Sequence, residues 1–194
     1  MNLSKAAKYI SYLLIPPVMN LFIFIIFSVI IENEPNKYYG ILISFVFGLL
    51  FPLLAILYFR KKGIISNNDA TIKEERNIPY IYAIIFSLSG LLFSAAVELH
   101  YNLIMLWMVY LVTSIFIINI NKVWKISAHA LGASIPVGAL YYLENSQLFI
   151  ISVIILFIVS LARLQLKVHT FMQVLAGSFL GFSVSYILLK YCNC

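Results

Sequence analysis

The chain has 194 residues, of which 63% are hydrophobic and 10% charged, with a formal net charge of +6. Soluble domains carry about a quarter of their residues as charges, so a water-soluble globule is excluded and the lipid bilayer is the second solvent. A nucleic-acid partner is not expected, because the cations are shared among short loops instead of forming one basic face.

Seven apolar blocks follow one another, at 10–31, 41–59, 79–97, 103–118, 126–143, 148–162 and 171–189. Backbone groups in lipid find no water, so only helices or a closed barrel can span. The blocks lack strict alternation and have helix length, which predicts an all-α, polytopic transmembrane helix bundle of about six to seven spans. One integral membrane domain over 1–194 is the expected organisation. The first block is too long for the apolar core of a cleaved signal peptide and no small-residue cleavage site follows it. Pro16 and Pro17 within it predict a kink or a helix start. The sixth block is short and is expected to tilt little.

The loops between blocks carry the chemistry. The stretch "NNDATIKEERNIPY" at 67–80 brings Lys73 and Arg76. The stretch "KVWKISAHALGAS" at 122–134 places His129 about one turn inside the fifth block. The stretch "ARLQLKVHTFMQ" at 162–173 sets Arg163 six positions before His169. Alternation of seven spans puts all three loops on the side of the N-terminus. That side holds eleven of the 13 basic residues, Lys37 and Lys190 being the exceptions. The positive-inside rule then predicts a cytoplasmic N-terminus. His100, next to Glu98, lies on the other side and reads as interfacial. The chain closes on "CNC", where Cys192 and Cys194 stand too close for a relaxed disulfide and read as thiols of a tail.

Taken singly, these residues have plain readings: Lys73 and Arg76 as charges that stop a span, Lys122 and Lys125 as headgroup anchors, His129 as a packed ring bonded to a carbonyl. An ionisable group inside a span nevertheless points to function. Two arginines can clamp phosphate oxygens. One neutral histidine can attack phosphorus and a second, protonated, can supply the leaving group's proton. No ligand spacing for a metal and no phosphate-cradling glycine loop is present, so neither a metal nor another cofactor is expected.

Two of these stretches carry a family resemblance. "ISAH" at 126–129 resembles the Pro-Ser-Gly-His motif of the type 2 phosphatidic acid phosphatases, relatives of the vanadium haloperoxidases, with Ser127 and His129 in register. "ARLQLKVHTFMQ" resembles their Ser-Arg, five residues, His, three residues, Asp motif, with Arg163 and His169 in register, Ala162 for Ser and Gln173 for Asp. The first motif, Lys, six residues, Arg-Pro, is loose: aligning Arg76 puts Asp69 at the Lys and Asn77 at the Pro, with Lys73 a displaced charge. The resemblance covers 69–181. It implies a lipid-phosphatase core in a bacterial cytoplasmic (inner) membrane. His169 would be the nucleophile, His129 the general acid, and Gln173 the residue that orients His169. Arg163, Arg76, Ser127 and Lys73 would hold the phosphate. The partner would be a lipid phosphate among membrane lipids.

Gln173 can accept the hydrogen bond of the family's Asp but brings no charge, so the expected consequence is slowed turnover, recruitment of another carboxylate, or lost turnover. An idle relative that binds or moves phospholipids is the alternative. A prenyl-transferring enzyme would need metal-binding carboxylates at set spacings and more spans, and neither is present. Finally, "GSFLG" at 177–181 and the small residues Gly132, Ser134 and Gly138 predict close packing between the fifth and seventh blocks.

Overall fold

The computed structural model describes residues 3–66 and 72–192. Asp69 and Cys194 lie outside the described residues. All secondary structure among the described residues is helical: α1 (Leu3–Leu13), α2 (Pro16–Ile31), α3 (Asn36–Ile43), α4 (Phe51–Lys61), α5 (Asn77–Ala96), α6 (Tyr101–Val123), α7 (Ala128–Tyr142), α8 (Ser146–Gln165) and α9 (Phe171–Tyr191), with a π-helical segment Ser44–Leu50 joining α3 to α4 and a 3₁₀ turn Glu74–Arg76 before α5. The chain is an α-helical membrane protein. Five helical stretches are long and apolar enough to cross a bilayer: Asn36–Lys61, Glu74–Ala96, Tyr101–Val123, Ser146–Gln165 and Phe171–Tyr191. A sixth span exists if α1 and α2 count as one, bent by 54° where Pro16 and Pro17 remove two backbone donors from the ladder.

The span count corrects the sequence reading in two places. The sixth block is not the short one: its helix, α8, has 20 residues because it continues through Arg163. The fifth block is short instead. Ile126 and Ser127 belong to an extended approach and Leu143 to the C-cap, so α7 keeps 15 residues. At 1.5 Å per residue it is about 22 Å long, against a hydrocarbon core of about 30 Å.

By Cα proximity the chain separates into two compact units, Met1–Met19 with Ile126–Cys194, and Asn20–Lys125. The 69–181 core implied by the resemblance therefore draws residues from both.

In the second unit, α5 and α6 pack along one another, and Gly90 lets the Trp107 indole approach so closely that a Cβ there would stand 2.5 Å from it. Phe24 of α2 tilts against the same indole with ring centroids 4.4 Å apart. The π segment has a local cause. In an α-helical ladder the ring of Pro52 would meet the carbonyl of residue 48; widening the preceding turn relieves it, and the Phe51 N–H bonds to the Val46 carbonyl. His100 has a structural role at the head of α6. Its Nδ1 accepts the Asn102 N–H at 3.2 Å as the N-cap of α6, and its own N–H donates to the Glu32 carboxylate.

In the first unit, α7 lies against α8 and α9, and α1 lies against α8. Glycines set the α7–α9 contact. A Cβ at Gly177 would stand 2.5 Å from the Ser127 carbonyl oxygen, and one at Gly181 would stand 2.4 Å from that of Leu131. Gly138 of α7 meets Ser185 and the Phe182 carbonyl in the same way. Positions 127, 131 and 138 thus face 177, 181 and 185 in order, so the two helices run parallel with their N-termini abutting. The packing expected from "GSFLG" is the packing observed.

Candidate functional site

The N-terminal ends of α7 and α9 and the last turn of α8 meet at one end of the first unit. Ser127 caps α7: its Oγ accepts the Ala130 N–H at 3.3 Å. Its own N–H donates to the Gln173 carbonyl at 3.0 Å, which ties the head of α7 to the first turn of α9. Thr170 caps α9 in a reciprocal box, accepting the Gln173 N–H on Oγ1 while the Gln173 side chain accepts the Thr170 N–H.

This box fixes the protonation geometry of His169. Gln173 Oε1 lies 3.1 Å from the Thr170 N–H nitrogen and 3.1 Å from His169 Nδ1. A backbone N–H only donates, so the side-chain atom it meets is the amide oxygen. An amide oxygen only accepts, so Nδ1 carries a proton. In the neutral ring the lone pair therefore resides on Nε2. His169 itself is buried, 6% exposed.

His129 has the opposite arrangement. Its Nε2 lies 3.1 Å from the backbone carbonyl of Ser11 on α1, so Nε2 carries the proton there. That carbonyl is left over because the helical ladder breaks before Pro16. Arg163 is fully buried, and its Nη1 donates to the hydroxyl of the same Ser11. One serine, itself 1% exposed, thus connects the arginine of the third stretch to the histidine of the second.

The first unit accordingly brings together Ser127, His129, Arg163, His169 and Gln173. Arg76 and Lys73 belong to the other unit. Arg76 is buried in the 3₁₀ turn and hydrogen bonds with the Tyr80 side chain. Lys73 Nζ donates to the Lys122 carbonyl at 2.7 Å, and the Lys73 carbonyl accepts from Asn121 Nδ2 at 2.9 Å. These bonds stitch the approach to α5 onto the end of α6.

Two site residues escaped the sequence reading. Thr170 was legible, since Thr-x-x-Gln ahead of an apolar run is a capping-box signature. Ser11 was not, because its partners are 118 and 152 positions away. Among the described residues no group of three or more His, Cys, Asp or Glu side chains could hold a metal ion. Comparison of the chain with family models, with curated proteins and with solved structures finds no match.

Proposed function

We propose that the chain is a membrane-embedded lipid phosphate phosphatase that hydrolyses a phosphomonoester or diphosphate lipid through a phosphohistidine, in a bacterial cytoplasmic membrane with its N-terminus in the cytoplasm. The observation that carries the reading is the tautomer of His169: Nδ1–H is held by Gln173, which aims the Nε2 lone pair away from that bond. Nε2 would attack phosphorus as the bond to the lipid oxygen breaks. Arg163 and the two abutting helix N-termini would stabilise the charge on the phosphoryl oxygens. His129, protonated on both nitrogens, would keep its Nε2–H on the Ser11 carbonyl and give the Nδ1 proton to the leaving alkoxide. Water would then attack the phosphohistidine, releasing inorganic phosphate and freeing Nε2. The reading draws on the first unit alone and assigns no role to Arg76 or Lys73.

A second reading, a phospholipid-binding relative without turnover, is favoured by Ser11. Its carbonyl holds His129 Nε2 and its hydroxyl accepts from Arg163 Nη1, so each of the two side chains already has a partner within the protein. Gln173 is neutral as well, so nothing compensates the imidazolium that forms on phosphoryl transfer. Release of inorganic phosphate from a panel of lipid phosphates in detergent, with and without chelator, separates the two. Chelator-resistant release that is lost in His169→Ala supports the phosphatase; binding without release supports the second reading.

A further inference from the structure

At the opposite end of the first unit lies a pocket of ≈ 530 Å³, formed where α7 ends, α8 begins and α9 ends. Four aromatic side chains line it, Tyr141, Tyr142, Phe149 and Tyr186, with the Tyr141 centroid 5.5 Å from that of Phe149 and 5.2 Å from that of Tyr186. Lys190 lines it too, donating to the Tyr186 hydroxyl at 2.5 Å and lying 5.0 Å from the centre of that ring. Ser146, also in the lining, opens the 20-residue helix α8, whose first-turn N–H groups add positive potential. Glu144 supplies the negative side. Its backbone sits at φ 54°, in the left-handed position after α7 that glycine normally takes. Its carboxylate has no hydrogen-bond or ion-pair partner among the described residues, so the charge is available to a ligand.

A pocket with a cationic pole, an anionic pole and aromatic faces between them fits a ligand that is itself dipolar. We infer that this pocket binds the headgroup of a zwitterionic phospholipid. The phosphate sits at Lys190 and the head of α8. The ammonium sits against Glu144 and the rings of Tyr141 and Phe149, where the carboxylate and the ring faces both attract it. A lipid is favoured over a soluble phosphate ester because the two helices whose ends form the pocket carry exposed apolar side chains, Ile150 and Ile154 on α8 and Ile187 on α9, a surface that acyl chains would cover. The assignment uses none of the residues of the proposed phosphatase site.

The full chain, purified into nanodiscs of equal phosphatidylethanolamine and phosphatidylglycerol, tests the inference by native mass spectrometry of retained lipid. The wild type should retain phosphatidylethanolamine over phosphatidylglycerol. Glu144→Gln should erase that preference, and Lys190→Gln should cut retention of both lipids about fivefold, the worth of one exposed charged contact. Both side chains are exposed, so the variants should keep the helicity of the wild type, as circular dichroism will show. His169→Ala should retain lipid as the wild type does, which keeps failure here distinct from failure of the phosphatase reading. Glycerophosphoethanolamine, which has the head without the chains, should leave the lipid in place at millimolar concentration. The inference is overturned by preference for phosphatidylglycerol, by a Glu144→Gln variant with unchanged preference, or by displacement with glycerophosphoethanolamine.

Discussion

Gln173 serves two donors with one oxygen, the Thr170 N–H and His169 Nδ1–H. That shared duty determines which substitution should help catalysis. Glutamate keeps the reach and the capping box and adds the charge that steadies an imidazolium. Gln173→Glu should therefore raise kcat about tenfold or more with little change in KM; loss of the corresponding carboxylate in a serine-protease triad costs about 10⁴. Aspartate is one methylene shorter and cannot hold both donors, so Gln173→Asp should gain less. His169→Ala should abolish phosphate release in every background. Retained turnover in that variant would refute the nucleophile assignment. The Arg163–His169 spacing was readable in the sequence because the five residues between them fix it. The link from Arg163 to His129 was not, because it passes through Ser11, and only the helix break at Pro16 exposes that carbonyl.

The α7–α9 contact shows what a pattern of small residues does and does not reveal. Spacing identified the partner helices, because glycine and serine every three or four residues permit backbones to touch. It could not give the direction of packing, which follows from Ser127 meeting Gly177 and Gly138 meeting Ser185. At Gly181 the nearest atom that cannot swing aside is the Leu131 carbonyl oxygen, so Gly181→Ala must push the backbones apart. We expect a loss of about 1–3 kcal/mol, the usual cost of overpacking, read as a lower midpoint in a detergent unfolding titration. The helix ends give a prediction of opposite sign. Glu98, Glu144 and Lys167 each follow a helix with φ of 53°, 54° and 54°. Glycine has no penalty in that region, so Glu98→Gly should stabilise the protein by roughly 0.5–1 kcal/mol in the same titration. Block length misjudged α7 because composition cannot separate a helix from its apolar flanks; Ile126 and Leu143 count as greasy whether or not they are helical.

Composition alone established a helical membrane protein, since nothing else accommodates so few charges. It could not establish the two units, because the first is assembled from both ends of the chain. The N-termini of α7 and α9 share one end of that unit with Arg163, while Glu144 and Lys190 stand at the other. With the proposed cytoplasmic N-terminus and α7 counted as a crossing, the basic-rich end faces the cytoplasm and the tail faces out. The sequence holds 2 cysteines, both in that tail, and Cys192 is exposed. A membrane-impermeant maleimide should therefore label intact cells; labelling only after permeabilisation would reverse the orientation.

The burial of α7 has a further consequence, one of timing. Every residue from His129 to Leu140 is buried, so this helix presents almost nothing to lipid. It is translated before α8 and α9, the two helices that lie against it on the C-terminal side of the chain. A chain truncated after Leu143 and released from the ribosome should thus hold α7 loosely in the membrane, open to extraction and proteolysis. One extended past Tyr191 should protect it. Pulse-labelled chains of the two lengths, challenged with protease, would reveal a membrane helix whose insertion depends on sequence translated after it.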